Sequence, residues 1–165
     1  MKRLLHCLVL VVVAIGLAAC GPQRKSVFPP SLTVQQMQVL PNGTWRLTVR
    51  IQNNSYGGMD FKAIEGTLQV ASGVPVRLHA AFDLDIPSFA GDVTSIDVLP
   101  TPAMGSALVA VVAKGSAGSL AYAFRGTVHA QPDLVDHPDN KNAQDFPFQH
   151  NDFLSPVPGI ANTFR

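Results

Sequence analysis

Hydrophobic and polar residues alternate along most of the chain between Ser31 and Ala130, and turn-forming residues interrupt the pattern at short intervals. A period of two is typical of strands with one buried and one exposed face. In the clearest segment, the residues expected on the buried face are Trp45, Leu47, Val49 and Ile51. Six or more short strands of this kind predict a mainly all-β fold, an antiparallel β-sandwich with at most one short helix. A small β-barrel is the alternative.

The first two predicted strands form a hairpin. The hydrophobic positions of the first strand change phase near Gln35-Gln36, which predicts a β-bulge there. Pro41-Asn42-Gly43 supplies the turn into the strand from Thr44 to Gln52, because Asn and Gly tolerate positive φ. Further strands are predicted at Ala63 to Val70, Val76 to Phe82, Val93 to Leu99 and Leu120 to His129.

A single helix is predicted from Ala103 to Lys114. Thr101-Pro102 is typical of a helix cap followed by Pro at the first helical position, and Gly115 is typical of a stop. Three β-branched residues within this segment favour a strand instead, because their side chains are restricted in a helix. They are Val109, Val111 and Val112.

The first 19 residues have the layout of a secretory signal peptide, with a basic start and then an apolar run from Leu4 to Leu17. As a helix this run would be about 21 Å long. That is too short for a hydrocarbon core of about 30 Å. A retained transmembrane anchor is the alternative.

Directly after the apolar run, the chain resembles the bacterial lipoprotein class, whose lipobox reads Leu, two small residues and Cys. The matching residues are Leu17, Ala18, Ala19 and Cys20. The resemblance implies signal cleavage between Ala19 and Cys20 and lipidation of Cys20, which then anchors the protein to a membrane. By resemblance to Gram-negative sorting rules, Gly21 implies a periplasm-facing position at the outer membrane. The plainer alternative treats Cys20 as a small apolar residue near a signal-peptidase site.

Composition narrows the class further. The only other cysteine, Cys7, lies within the predicted signal peptide, so a lipidated mature chain has no disulfide. The 12 basic and 11 acidic residues nearly cancel, which argues against nucleic acid as a partner. Residues 20–30 are interpreted as the lipidated cysteine and a tether without a fixed fold, in which Arg24 and Lys25 lie near the membrane surface or are simply solvated. Residues 31–130 then form one sandwich domain.

The order of the strands resembles the late-embryogenesis-abundant (LEA) type 2 family, also called the water-stress and hypersensitive-response (WHy) domain. The residues that carry the resemblance are Leu47, Val49, Ile51 and Asn53, then Phe61, Gly66 and Leu68, then Ile86-Pro87, and finally Leu120, Tyr122 and Gly126. The family often has Pro after the first Asn, where this chain has Asn54. The resemblance implies an immunoglobulin/fibronectin-like sandwich, no cofactor, and a role in desiccation or envelope stress.

Residues 131–165 are rich in Pro, Asp and Asn and show no sustained period, which predicts an irregular C-terminal tail. The isolated apolar residues of this tail are Phe146, Phe148, Phe153 and Phe164. Isolated apolar residues are common on protein surfaces. The alternative is that these phenylalanines dock on the sandwich or on a partner protein.

No catalytic or metal site is predicted. Histidines at 129, 137 and 150 lie among Asp133, Asp136, Asp139, Asp145 and Asp152, but their spacing matches neither a zinc nor a calcium motif. Ser106, Ser116 and Ser119 lie near glycines without forming a nucleophile elbow. Asp83 and Asp85 are interpreted as edge-strand charges that oppose aggregation rather than as an acid-base pair.

Two classes of function follow from the sequence. The first is a lipid-anchored, non-catalytic envelope protein that binds or protects other envelope components under water or envelope stress. The second is an accessory lipoprotein subunit of an envelope complex, which docks on a protein partner through its Phe-bearing tail. Neither interpretation names a small-molecule substrate.

Overall fold

Eight β-strands and one α-helix make up most of residues 26–133 and 143–165, which are the residues described by the computed structural model. In chain order the elements are β1 (Ser31–Val39), β2 (Trp45–Gln52), β3 (Met59–Val70), β4 (Val76–Ile86), β5 (Gly91–Val98), α1 (Pro102–Val112), a 3₁₀ turn (Gly115–Ala117), β6 (Leu120–Pro132), β7 (Gln144–Leu154) and β8 (Thr163–Phe164). Two four-stranded antiparallel sheets face each other, with strand orders β5-β2-β1-β8 (sheet A) and β4-β3-β6-β7 (sheet B). The predicted all-β sandwich is confirmed.

The first hairpin forms as the sequence predicts. The β1–β2 register shifts between Val34 and Gln36, where the bulge was expected. In the turn, Gly43 has φ +84°, and the Asn42 side chain accepts a hydrogen bond from the Thr44 N–H at 3.0 Å. The turn residues therefore fix the register that directs one face of β2 into the core.

The core lies between the two inner sheet faces. On sheet A it includes Trp45, which is only 2% exposed, and Leu47, and on sheet B it includes Phe61 and Phe124. Each side chain of this size stabilises the fold by about 1.5–3 kcal/mol when it is fully buried. The predicted burial of Trp45 is confirmed.

Helix α1 covers one end of the sandwich, at the end opposite to the start of β1. Its cap is as predicted: the Thr101 hydroxyl accepts a hydrogen bond from the Met104 N–H at 3.2 Å, and Pro102 occupies the first turn. The helix ends at Val112, two residues before the predicted end, and Gly115 follows with φ +59°. The buried side of the helix consists of Met104, Leu108 and Val111. This hydrophobic face outweighs the low helix propensity of its valines.

The prediction of an irregular tail is wrong for much of residues 143–165. All eleven residues of β7 pair with β6, from Ala130 opposite Gln144 to Leu120 opposite Leu154. Phe146, Phe148 and Phe164 are buried in the core, whereas Phe153 is 62% exposed. Most of the isolated phenylalanines therefore complete the sandwich itself. Residues 134–142 lie outside the described part of the chain.

The last strand closes sheet A against the first. Met37 of β1 lies opposite Phe164 of β8, and Gln38 lies opposite Thr163. The Arg165 guanidinium donates a hydrogen bond to the Gln36 side chain at 3.0 Å. The sandwich therefore extends beyond Ala130, the predicted end of the domain, because both sheets use strands from the later segment.

Candidate functional site

Three structural features are relevant to function. The first is a cluster of buried hydrogen bonds at the end of β2. The Asn53 side chain is fully buried and donates to the carbonyl oxygens of Gly57 at 2.9 Å, Ile86 at 3.0 Å and Pro87 at 3.1 Å. Its own oxygen accepts from the Ser55 N–H at 2.9 Å. A buried amide must be hydrogen-bonded to be tolerated. Asn53 therefore ties the β2–β3 loop to the β4–β5 loop.

The segment before β1 is held against the β2–β3 loop. The Ser55 hydroxyl accepts from the Phe28 N–H at 2.8 Å and donates to the Phe28 carbonyl at 3.1 Å. The Asn54 amide donates to the Pro29 carbonyl at 2.9 Å, and the Tyr56 N–H donates to the Ser26 carbonyl at 3.2 Å. The expectation of a tether without fixed structure as far as residue 30 is therefore wrong from Ser26 onward.

The second feature is a group of exposed aromatic rings at this same end, which we call the aromatic patch and which consists of Phe28, Tyr56 and Phe89. The ring centroids of Phe28 and Tyr56 are 6.1 Å apart, and those of Tyr56 and Phe89 are 4.9 Å apart in an edge-to-face arrangement. All three are about half exposed, at 45%, 55% and 57%. Contiguous exposed apolar surface is typical of an interaction site.

The third feature is a shallow groove of about 760 Å³ on sheet B, close to two facing glycines. Gly66 of β3 lies opposite Gly126 of β6. The groove is lined by Glu65, Thr67, Arg77, His79, Arg125 and Thr127, together with Gly66, Leu78 and Gly126. Most of the polar lining comes from the strand positions that alternate with the buried ones. The groove therefore offers hydrogen bonds and positive charge to a polar ligand but has no enclosed apolar pocket of the usual small-molecule kind.

Candidate acid-base and metal residues are spread over the surface. His129 Nδ1 pairs with Asp145, His150 Nε2 lies 3.6 Å from Asp152, and His79 Nδ1 lies 3.5 Å from Glu65. No group of three or more metal-ligating side chains occurs within residues 26–133 and 143–165. Asp136, His137 and Asp139 fall outside those ranges.

The paired carboxylates of β4 lie on an edge strand of sheet B, as the sequence suggested. Asp83 pairs with the Lys62 ammonium, and this hydrogen bond raises the pKa of Lys62. Asp85 lies opposite Asp60 and, with Asp133, lines a small cleft. Of the serines, Ser106 bonds the Pro102 carbonyl within α1 at 3.0 Å, and Ser116 lies in the 3₁₀ turn. The ion pair of Asp83 is typical of an exposed strand, and the positions of Ser106 and Ser116 are typical of helical segments.

The sequence motif with the most specific chemistry, Leu17 to Cys20, lies outside the described residues, as does the cleavage position after Ala19. Across 26–133 and 143–165, no helix combines the length and apolar character needed to cross a membrane. The lipidation of Cys20 stays a prediction.

The residues that carry the LEA type 2 resemblance have structural roles in the sandwich. Asn53 bonds the carbonyl groups of the Ile86-Pro87 pair, and Gly66 faces Gly126. The aromatic patch was missed at the sequence level. Its residues come from the segment before β1 and from two separate loops, and no periodicity connects them.

Comparison with known proteins does not identify a family for this chain. No family model matches it, and no curated protein matches it significantly. Among solved structures, a protein provisionally assigned as ApaA from Bordetella pertussis has 15% identity and a TM-score of 0.46, over 82% of this chain and 100% of that one. A protein of Arabidopsis thaliana has 10% identity and a TM-score of 0.45, over 84% and 85%. A protein provisionally assigned to the LEA class has 15% identity and a TM-score of 0.29, over 94% and 87%.

Proposed function

We propose that this chain is a lipid-anchored, non-catalytic envelope protein that displays a rigid β-sandwich at a membrane surface. The observation that carries the proposal is the complete lipobox, Leu17 to Cys20, directly after a basic start and an apolar run. Two or three acyl chains on Cys20 would make the anchor nearly permanent, whereas a single chain binds only reversibly.

The organisation of the chain after Cys20 supports an anchored display. Hydrogen bonds hold the segment from Ser26 onward to the sandwich, so only a short stretch separates the anchor from the folded domain. At about 3.3–3.6 Å per residue, the six residues from Cys20 to Ser26 span at most about 22 Å. The domain is therefore kept near the membrane that holds the lipid.

The surface chemistry favours binding over catalysis. The described histidines each face a single carboxylate on the protein surface. The groove on sheet B offers Arg77, Arg125 and His79 for non-covalent contacts with polar groups. We therefore propose that the protein binds or shields envelope components, with no reaction of its own.

A protective role under water stress is the finer part of the proposal. Its support is the ordered set of LEA type 2 positions in the sequence, such as Asn53, Gly66 and Gly126, which hold this sandwich together. The alternative of docking on a complex through the tail has less support, because three of its four phenylalanines are buried within the domain itself.

The decisive experiment on the anchor is an intact-mass measurement of the protein recovered from bacterial membranes. We expect a mature chain that begins at Cys20 and carries acyl mass. Cys20→Ser should abolish both the cleavage and the added mass, while Cys7→Ser is the matched control and should leave both unchanged. A mature protein with an unmodified Cys20 would overturn the proposal.

The position at the outer membrane is tested by fractionation of Gram-negative cells. We expect the native protein in the outer-membrane fraction and a Gly21→Asp variant in the inner-membrane fraction. Protection is tested by survival after drying, which should fall in cells that carry Cys20→Ser but not in cells that carry Cys7→Ser. Equal survival would reject the stress role and leave the anchor intact.

A further inference from the structure

We propose that the aromatic patch of Phe28, Tyr56 and Phe89 rests in the interfacial region of the bilayer that holds the anchor, and so fixes the orientation of the sandwich. This inference rests on the proposed lipid anchor at Cys20. It adds a second, non-covalent membrane contact and a defined face of the domain that makes it.

The aromatic patch lies at the end of the sandwich where the tether enters the domain. Phe28 lies in the segment that leads out of the tether, and hydrogen bonds to Ser55 fix its backbone. Tyr56 and Phe89 lie in the β2–β3 and β4–β5 loops, at the same end of the sandwich. The tether from Cys20 to Ser26 reaches at most about 22 Å. This end is therefore the part of the domain that the anchor keeps nearest to the lipid.

The side chains of the patch are of the type that favours a membrane interface. Aromatic side chains favour the boundary between hydrocarbon and head groups, where rings meet apolar and polar surroundings together. Tyr56 stands between Phe28 and Phe89 and contacts both rings. The three rings form one continuous apolar surface that the folded domain leaves about half exposed.

The backbone of Phe89 has an unusual conformation. This residue has φ +57°, in a turn that the Ala90 N–H closes on the Pro87 carbonyl at 3.2 Å. A bulky residue is rarely found at positive φ, where Gly or Asn is more comfortable. Because Phe89 is 57% exposed, core packing does not account for the aromatic ring at this strained position. Burial of the ring in the membrane interface would account for it.

A short tether makes a weak contact effective. Linking two binding elements raises the effective concentration of the second to the order of millimolar, so a few interfacial rings suffice. Charge does not supply the attraction, because Asp60, Asp85 and Asp133 lie at this same end. The contact is therefore expected to persist in high salt, which screens charge but not apolar burial.

The test uses the full acylated protein in vesicles of phosphatidylethanolamine and phosphatidylglycerol whose acyl chains are brominated near the head group. Bromine quenches tryptophan fluorescence at short range. Trp45 is buried in the native protein, so we expect it to contribute the same background in every variant. Tyr56→Trp reports on the patch. Leu99→Trp is the control, because Leu99 is 75% exposed and follows β5, whose eight residues separate it from the patch by about 26 Å.

We expect quenching at position 56 to exceed quenching at position 99 by about two-fold or more, because only the patch reaches the interface. Adding Phe89→Asn to the Tyr56→Trp protein should reduce that quenching, while the thermal midpoint stays equal or rises because Asn accepts positive φ. Quenching at position 56 should also be unchanged at about 1 M salt, because salt screens charge but not apolar burial.

The outcomes separate this inference from the proposed anchor. Acylated protein with equal quenching at positions 56 and 99, or with quenching at position 56 that salt abolishes, would overturn the membrane contact and leave the anchor standing. Protein without acyl mass on Cys20 would overturn the anchor, and this inference with it. A fall in the thermal midpoint with Phe89→Asn would mean that Phe89 stabilises the fold, which also contradicts the inference.

Discussion

Gly126 of β6 approaches the backbone of β3 so closely that a Cβ at this position would lie 2.1 Å from the Glu65 carbonyl oxygen. Its partner Gly66 is equally confined, since a Cβ there would lie 2.4 Å from the Arg125 carbonyl oxygen. Both glycines belong to the residues that carry the LEA type 2 resemblance. Their role is to let the two central strands of sheet B meet closely.

We expect Gly126→Ala to lower the free energy of unfolding by about 1–3 kcal/mol, because backbone must move to admit the methyl group. The control is Gly105→Ala within α1, where a Cβ meets nothing within 4 Å. That change should stabilise the protein by about 0.5–1 kcal/mol. Urea unfolding of both variants measures the difference, and a neutral Gly126→Ala would contradict the close approach.

The buried amide of Asn53 should be essential for stability. Asn53→Ala removes the donor from three carbonyl oxygens at the end of β2 and leaves them without that partner. We expect a loss of about 2–3 kcal/mol, the usual cost of buried polar groups without a partner. Asn54→Ala removes only the exposed bond to Pro29 and should cost less than about 1 kcal/mol. Equal losses in the two variants would argue against the buried cluster.

Trp45 provides a direct test of the core. Trp45→Ala should lower the free energy of unfolding by about 3–5 kcal/mol, because it leaves a large cavity between the sheets. The native protein should show the blue-shifted fluorescence of a buried tryptophan, with a red shift on unfolding. Leu99→Ala, at an exposed position, should change stability by less than about 0.5 kcal/mol. Native emission typical of a water-exposed tryptophan would contradict this structure, because it would mean that the face of β2 that carries Trp45 points into solvent.

Tyr122 should make stability fall at alkaline pH. Burial, more than the nearby charge of Asp152, raises its pKa from the ordinary tyrosine value of 10.0 to about 12, and the Val34 backbone opposes this only in part. A raised pKa in the folded state means that the contribution is fully present below pH 10 and is lost as pH rises toward 12. Thermal midpoints between pH 9 and 12 should therefore fall less steeply in Tyr122→Phe than in the native protein.

At neutral pH the same substitution should be harmless. Within the described residues, the buried Tyr122 hydroxyl has no partner with full hydrogen-bond geometry. Removing an unpartnered hydroxyl is neutral or stabilises by up to about 1 kcal/mol. A loss of more than that amount in Tyr122→Phe would contradict this expectation, because it would show that the hydroxyl is well hydrogen-bonded in the folded protein.

The two phenylalanines of β7 should differ sharply on substitution. Phe148 is buried, and its ring centroid lies 4.6 Å from that of Phe124, whereas Phe153 points into solvent. Phe148→Ala should cost about 3 kcal/mol or more, and Phe153→Ala less than about 0.5 kcal/mol. Similar small effects at both positions would contradict the burial of Phe148 and would favour the irregular tail that the composition predicted.

The alternation of hydrophobic and polar residues predicted most of the strands. Where the pairing of a strand is irregular, the predicted strand is shorter than the observed one. In β3 the register shifts between Phe61 and Ala63, so the buried residues before and after this bulge do not share one phase. The sequence therefore predicted only Ala63 to Val70, although the strand begins at Met59. A β-bulge breaks the pattern on which such a prediction depends.

The missed strand β7 has a different cause. Phe146 and Phe148 alternate correctly, but Pro147 lies between them and polar residues follow. Proline removes a backbone donor, so it normally argues against a strand, yet it is tolerated at a sheet edge. Because β7 is the edge strand of sheet B, its Pro147 and its partly exposed His150 fit there. A sequence does not reveal which strand will be at an edge.

The pairing of β1 with β8 bears on when folding can finish. Met37 meets Phe164 only after the chain as far as Phe164 is available, and such distant contacts make β-sandwiches fold in milliseconds to seconds. Until then one edge of β1 stays open. Sheet A is therefore completed only by β8, and a chain that lacks β8 would leave the edge of β1 free to pair with a strand of another molecule.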